Sequence, residues 1–456
     1  MDAEEVDVVV IGLGPGGEDL AGRVATGGLS VVGVESRLVG GECPYFACVP
    51  TKMMVRAAGV LAEGRRIDRL SGSVEVHPRW SPVADRIRDE ATTDWDDAVA
   101  VERLEKTGAR FVRGRGRISA PGEVTVTTAD GDRTFRARRG IVLNPGTEPA
   151  VPPIDGLHGT PYWTNRDAVP AREVPESLLV LGGGPVGVEF AQVFARFGAE
   201  VTVLESHSRL LTPFEPEAAE LLESVFAAEG IQVRTNESAA GVRYDDGQFT
   251  VRLGSGEELG AQQLLVATGR RTDLAALGVG AAGLDEQARR IEVDDRLRAA
   301  DGLWAIGDIT GRGAFTHTSA YQARIAAADI LGAETEPADY RAMPAVTFTD
   351  PELAMVGLTE AAARENGLKV RTATTDISAS TRGFIHKIGN EGLIKLVADA
   401  DRGVLVGGTV AAPAGGEILA GLSVAVQGEV PVSRLREMIL AYPTFHRALG
   451  VALEAL

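Results

Sequence analysis

Val6-Asp7-Val8-Val9-Val10-Ile11-Gly12-Leu13-Gly14-Pro15-Gly16-Gly17 begins as a near-continuous apolar run and ends in a cluster of glycines. Helix-favouring residues follow, and then a second apolar segment, residues 30–35, closes on the carboxylate of Glu35. Strand, tight glycine turn, helix, strand and acid in this order form the fingerprint of a βαβ dinucleotide-binding unit. Gly12 permits the turn, Gly14 lets backbone approach a pyrophosphate at a helix N-terminus, and Gly17 lets helix and strand pack closely. Glu35 then stands where a carboxylate accepts hydrogen bonds from a ribose diol.

The unit recurs further along the chain. Leu178-Leu179-Val180-Leu181 leads into Gly182-Gly183-Gly184-Pro185-Val186-Gly187, and the next strand ends at Glu205. The same 23-residue offset separates Gly12 from Glu35 and Gly182 from Glu205. One fingerprint alone has many chance matches; two with equal internal spacing, each in a βαβ frame, predict two dinucleotide sites. Residues 141–146 and 264–269 have the pattern of equivalent late strands in the two halves. Residues 303–308 end in Asp308, an aspartate placed to touch a cofactor. Residues 151–156 and 332–344 read as linkers. Beyond them a third region offers strands at 345–348, 392–397 and 404–410 and helices at 359–366 and 416–426.

Between the two fingerprints lie the chain's two cysteines, Cys43 and Cys48, bracketed by Gly40-Gly41 and Pro50. A chain of 456 residues buries a large core without a disulfide staple, so a close pair reads as redox or metal chemistry. Metal is the weaker option, because the six histidines are scattered singly and no second ligand pair completes a tetrahedron. The remaining alternative is two buried thiols acting as small apolar side chains. On an undistorted helix, residues five apart diverge by about 140°, too far for a disulfide with a Cα separation of roughly 4.4–6.8 Å. A pairing therefore needs a distorted helical start, with which Pro44 and Pro50 are compatible.

Composition narrows the partners. A net charge of −18 argues against nucleic acid and anionic membrane surfaces. The acidic opening Met1-Asp2-Ala3-Glu4-Glu5 is unlike a basic leader, and no run supplies the roughly 18 apolar residues of a membrane span. A cytoplasmic location is the expectation, and in a reducing compartment a cysteine pair favours catalysis over structure.

Taken together, these ordered motifs resemble the flavoprotein disulfide reductase family of pyridine-nucleotide oxidoreductases over essentially the full length. That resemblance implies an α/β fold with two Rossmann-like dinucleotide-binding domains and an α+β C-terminal dimerisation domain. The expected division is an FAD-binding domain over 1–150 and 271–338, an NAD(P)-binding domain over 151–270 and an interface domain over 339–456. Gly12, Gly14, Gly17 and Glu35 are then expected to hold FAD, with Asp308 near its ribityl and pyrophosphate. Gly182, Gly184, Gly187 and Glu205 are expected to hold the nicotinamide nucleotide. By the same resemblance Cys48 faces the flavin as the charge-transfer thiolate and Cys43 is the interchange thiol. Lys52 is expected near the reactive flavin edge, paired with Glu189, against the alternative of an exposed ion pair. Glu205 favours NAD over NADP, since a carboxylate repels a 2′-phosphate; Arg209 is positioned to offset part of that repulsion.

The chain also departs from the family. Members acting on thiols carry His-Pro-Thr near the C-terminus, followed by a Glu with two residues between it and the Thr. Here Tyr442 holds the histidine position and Arg447 the glutamate position, while His446 reads as an interface or surface residue. A phenol with pKa near 10 cannot serve as base at neutral pH. Mercuric reductases also place tyrosine here but add a C-terminal cysteine pair, which 451–456 lacks, so a full mercuric reductase is not expected. Asn144-Pro145-Gly146 stands where Ala-Thr-Gly is usual, which alters the local flavin contact at Gly146. Glu18 and Asp19 follow the first fingerprint where an aromatic is common, and with Tyr45 and Phe46 either shape a distinct pocket or are simply solvated.

The resulting expectation is a homodimeric enzyme moving electrons from NADH through FAD and the Cys43–Cys48 disulfide to a small disulfide or other acceptor, with NADP possible in place of NAD. Dihydrolipoamide dehydrogenase, a quinone or metal-ion reductase, and a non-turnover redox sensor or electron-delivery partner are the alternatives.

Overall fold

The computed structural model describes residues 3–456; Met1 and Asp2, which open the acidic N-terminus, lie outside that range. Two compact units divide it. One comprises the chain up to Pro50 with Asp85–Ala150 and Arg270–Asp339, and the other comprises Thr51–Ala84, Val151–Gly269 and Tyr340–Leu456.

In the first unit the fingerprint strand Glu4–Ile11 lies between Val31–Glu35 and Gly131–Leu143, parallel to both. Arg110–Arg113 and Leu303–Ala305 extend this parallel sheet on either side, and Arg298–Ala300 closes one edge antiparallel. Successive side chains of Glu4–Ile11 serve two cores. Val8 and Val10 pack with Leu20, Ala21 and Val24 of the helix Pro15–Thr26 and with Ala323 and Ala326 of Thr316–Leu331. Val9 and Ile11 point to the opposite face, where Ile118, Val126 and Phe135 cover them. Burial on both faces is why the run is continuous rather than alternating. Each fully buried valine contributes about 1.5–3 kcal/mol, so the strand is fixed by its packing. The antiparallel pair Arg115–Ala120 and Glu123–Thr128 supplies the second covering layer and was not read from sequence.

The second unit repeats the motif on a smaller scale. Ser177–Leu181 lies between Glu200–Leu204 and Gln263–Val266 in a four-stranded parallel sheet completed by Gln232–Arg234. The late strands thus occupy equivalent places: Gln263–Val266 beside Ser177–Leu181, and Gly131–Leu143 beside Glu4–Ile11. A three-stranded antiparallel sheet, Ala239–Asp245, Gln248–Leu253 and Glu258–Ala261, packs Phe249 and Val251 against Leu179 and Leu264. The C-terminal region is a five-stranded antiparallel sheet in the order Pro344–Thr347, Glu352–Gly357, Val404–Ala412, Leu393–Asp399, Val370–Asp376. Helices Gly415–Gln427 and Ala448–Ala455 share one core with it. Among the described residues no helix is long and apolar enough to cross a membrane.

Candidate active site

The two glycine turns are built alike. The N–H of Gly12 donates to Val34 and that of Gly182 to Leu204, each at 2.8 Å. Both residues have left-handed backbone, φ +91° and +108°. A Cβ would stand 2.2 Å from the Asn144 carbonyl oxygen at Gly12 and 2.4 Å from that of Ala267 at Gly182. Only glycine fits either position. Gly17 and Gly187 let their helices lie on the turns, since a Cβ on each would come 2.0 Å from the carbonyl oxygen of Gly12 or Gly182.

The acids are equivalent too. Glu35 accepts the N–H of Leu13 at 2.9 Å and of Arg37 at 2.8 Å. Glu205 accepts the N–H of Gly183 at 2.7 Å and of His207 at 2.8 Å, and His207 Nδ1 lies 2.6 Å from it. Burial works against the Glu205 carboxylate, but the His207 and Gly183 donors outweigh it and hold the group below the ordinary carboxylate value. Each acid ties a strand end to its glycine turn and keeps acceptor capacity for a ribose hydroxyl.

The open space lies where a dinucleotide belongs. A Cβ on Gly184 or Gly146 would meet nothing within 4 Å. Gly146 lines a cavity of about 170 Å³ with Gly12, Glu35, Arg115 and Arg271. A helix start with bare backbone, a positive-φ glycine and a facing carboxylate fit an adenosine-containing pyrophosphate. Asp308 accepts a hydrogen bond from Thr147 at 2.7 Å, Arg270 donates to the same hydroxyl at 2.6 Å, and Arg270 also lies 3.8 Å from Glu42 beside Cys43. This chain of polar groups was missed in the sequence. Its one local signal was the Arg270-Arg271 pair directly after the late strand's glycine.

The cysteines sit on two separate elements. Cys43 belongs to the four-residue helix Glu42–Tyr45, and Cys48 starts the long helix Cys48–Arg66. Phe46, at φ −136° and ψ 0°, caps the short helix and breaks the run, which is the distortion the spacing requires. Gly40 and Gly41 lead in with φ of +102° and +67°. A Cβ on Gly41 would lie 2.8 Å from Gly14 Cα, so the cysteine turn is seated directly on the first glycine turn. Cys43 is half-buried and Cys48 exposed, with Cys48 Sγ 3.4 Å from the Thr316 hydroxyl. Nothing in the sequence singled out Thr316. Among the described residues no group of three or more His, Cys, Asp or Glu side chains is arranged to hold a metal ion.

Lys52 and Glu189 meet. Lys52 Nζ lies 2.6 Å from Glu189 Oε2 and 4.6 Å from the centre of the Phe348 ring, and the other Glu189 oxygen accepts the Phe348 N–H at 2.8 Å. The Glu189 side chain is 9% exposed and that of Lys52 35%, so this is a part-buried pair with a buried carboxylate rather than a fully solvated one. Removing one partner of a buried pair typically costs about 3–5 kcal/mol, against roughly 0–1 kcal/mol for a surface pair.

The other sequence candidates fall out differently. Arg209 spends its guanidinium on the carbonyls of Leu210, Leu211 and Thr212, the shortest at 2.7 Å, which directs it along its own loop. Glu18 is mostly buried against Arg103 at 2.6 Å, so plain solvation does not describe it, while Asp19 forms a helical-turn pair with Arg23. Tyr442 is 67% exposed with the Arg447 guanidinium over its ring, and His446 Nε2 lies 3.5 Å from Thr444 Oγ1.

Two matched nucleotide turns, one of them carrying a cysteine pair, define a two-dinucleotide redox protein. Sequence comparison gives the class its name. A family model described as "Pyridine nucleotide-disulphide oxidoreductase" matches residues 6–323, and that family's dimerisation domain matches residues 343–453. The chain belongs to this family. It is 34% identical to a mercuric reductase from Acidithiobacillus ferrooxidans, over 99% of this chain and 83% of that protein. Identity is also 34% with a dihydrolipoyl dehydrogenase from Thermus scotoductus, over 99% and 97%. The fold superposes at a TM-score of 0.87 on the HOCl-induced flavoprotein disulfide reductase RclA from Escherichia coli, solved as a Cu(II) complex, at 26% identity and full coverage of both chains. LpdA from Mycobacterium tuberculosis superposes equally, at 27% identity over 99% of each chain. The protein is an FAD-dependent NAD(P)H oxidoreductase of the disulfide reductase type.

Proposed function

We propose that the enzyme, as a homodimer, passes the electron pair of NADH through Cys43 and Cys48 to a small disulfide or a comparable low-molecular-weight acceptor. The observation that supports this most is the seating of the cysteine turn on Gly14, with the helix break at Phe46 between the sulfurs. Gly12, Gly14, Gly17, Glu35, Gly146 and Asp308 are the residues that would hold FAD. Gly182, Gly184, Gly187 and Glu205 would hold the nicotinamide nucleotide. FAD, when bound, supplies the two-electron relay between nicotinamide and sulfur.

Two electrons and two protons convert the Cys43–Cys48 disulfide to two thiols. The Cys43 thiolate attacks one sulfur of the acceptor, forming a mixed disulfide and releasing one thiol; Cys48 then attacks Cys43 Sγ, releases the second thiol and restores the internal disulfide. Cys48 begins a helix, where the positive end of the helix dipole favours a thiolate, and the Thr316 hydroxyl is placed to donate to it. Lys52, four residues on along the same helix, adds a positive charge stabilised by Glu189. Tyr442 stands where the family's histidine would, so no imidazole at that position takes the acceptor thiol's proton. Turnover of disulfides should therefore rise with pH towards the ordinary thiol pKa near 8.5. Exposed Phe384, Ile385, Met438, Ile439 and Tyr442 within the dimerisation domain support the homodimer, since apolar side chains in such numbers suit an interface.

Anaerobic titration of the FAD-loaded enzyme with NADH tests this reading. Wild type should take up one more equivalent than Cys43→Ser or Cys48→Ser and expose two alkylatable thiols. Equal uptake in all three would remove the cysteine pair from the electron path. A subsequent screen of the reduced enzyme against lipoamide, glutathione disulfide, quinones and mercuric ion then names the acceptor.

A further inference from the structure

A strained connector presses on the cysteine turn. Thr93, Asp94 and Trp95 are three consecutive non-glycine residues with left-handed backbone, at φ of +49°, +54° and +57°. L-residues visit this region singly, and a run of three persists only where its surroundings over-determine it. Both ends are anchored. The buried Thr92 hydroxyl donates to the carbonyl of Ile87 at 3.0 Å, within the π-helical turn Ile87–Ala91. At the other end the buried Asp97 carboxylate takes Arg113 at 2.6 Å and the N–H of Val39 at 2.7 Å.

The strain delivers one side chain. Trp95 Nε1–H donates to the Tyr45 carbonyl at 3.2 Å, and its ring stacks on Phe46 with centroids 6.3 Å apart and planes at 28°. Tyr45 and Phe46 lie between Cys43 and Cys48, and Phe46 is the residue that breaks the helix. With Asp97 on Val39, the connector thus holds the turn before its glycines and again between its sulfurs.

We propose that Trp95 is a positioning residue for the redox couple, clamping the Cys43–Cys48 turn so that the dithiol cannot relax; the inference rests on reading these cysteines as a redox pair. In the disulfide form the covalent bond already fixes Tyr45 and Phe46, so the clamp restricts mainly the dithiol. It thereby disfavours the reduced form and makes the dithiol a stronger reductant. Releasing it should let the dithiol gain freedom and shift the two-electron, two-proton equilibrium towards reduction.

The test equilibrates the full-length FAD holoenzyme with glutathione buffers and counts Cys43 and Cys48 thiols by alkylation and mass. Trp95→Ala should raise the dithiol-to-disulfide ratio about tenfold at a given buffer, which is about 30 mV for a two-electron couple. Trp95→Phe keeps the ring contact and loses the donor, and should shift the ratio roughly threefold. A Trp95→Ala ratio within twofold of a normally titrating wild type overturns this inference alone. If Trp95→Ala does not fold, Trp95→Phe decides by the same twofold criterion. A wild type that forms no Cys43–Cys48 disulfide in any buffer overturns the proposed function, and this inference with it.

Discussion

The turns at residues 12–35 and 182–205 share their backbone bonds, their strained first glycine and their tethered acid, yet they differ at two neighbours. Gly14 is covered by the cysteine turn through Gly41, whereas Gly184 faces open space. Behind the first turn stands Asn144; behind the second stands Ala267. Neither helix has a side-chain cap from its own glycine N-cap. Asn144, oriented to satisfy every neighbour, supplies one from a distant strand: its carbonyl accepts the Gly17 N–H at 2.9 Å while its amide donates to Ser319 and to the Ile306 carbonyl, each at 3.2 Å. Among the described residues the second helix has no such tether. The local code makes the glycine turn, and the tertiary neighbours decide that one turn is locked beneath the cysteine pair while the other stays open.

The largest effect should come from the strained first glycines, and it should fall on different coenzymes. Gly12→Ala forces a Cβ to within 2.2 Å of backbone at positive φ and should abolish FAD retention, a loss of about 10²-fold or more, read as absent flavin absorbance in the purified protein. Gly182→Ala meets nearly the same clash but should leave a yellow protein that NADH no longer reduces. If both variants lost only flavin, or only NADH reduction, the two turns would not have separate ligands.

A smaller effect should follow from making the first turn resemble the second. Asn144→Ala removes a buried acceptor and leaves the Gly17 N–H without its cap, which should cost about 1–3 kcal/mol. Urea unfolding of the apo-protein measures it. The distinguishing result is weaker FAD retention with unchanged NADH affinity in the reconstituted enzyme. An equal loss at both sites would mean that Asn144 acts on the fold as a whole and not on one turn.

What was legible in the sequence follows the same division. Val6 to Ile11, the paired glycine clusters and the acids at equal offset are short-range patterns in which each residue's reason lies within about two dozen positions. The Lys52 and Glu189 meeting was expected from resemblance and is present as a 2.6 Å pair. Strands Glu352–Gly357 and Val370–Asp376 went unread. The first mixes acid and glycine with its apolar residues, and the second is a threonine-rich edge strand with one fully apolar-facing position, Ala373. Trp95, Thr316 and the Thr147–Arg270 link act across 50 to 268 positions of chain, and no periodicity encodes such contacts. Arg209 shows the converse: its position beside the acid suggested a phosphate contact, and carbonyls of its own loop captured it instead.

The finest distinction between the turns concerns their acids, because on the function proposed above only the second would choose between coenzymes with and without a 2′-phosphate. Glu205→Gln keeps an acceptor for a backbone donor and removes the charge. The NADPH-to-NADH ratio of kcat/KM should rise about tenfold, equivalent to about 1.4 kcal/mol, while Glu35→Gln should leave that ratio unchanged. The pH dependence carries the sign. Burial opposes the Glu205 charge, yet its donors depress the folded pKa below the ordinary 4.5. Its contribution to stability and to repelling phosphate is therefore fully present above that ordinary value and is lost only as pH falls through the lower, folded one. Wild-type preference for NADH should stay flat from pH 8 down to about 5, and kcat/KM for both coenzymes across that range is the measurement. A preference that decayed well above pH 5 would mean that a group other than Glu205 sets the choice.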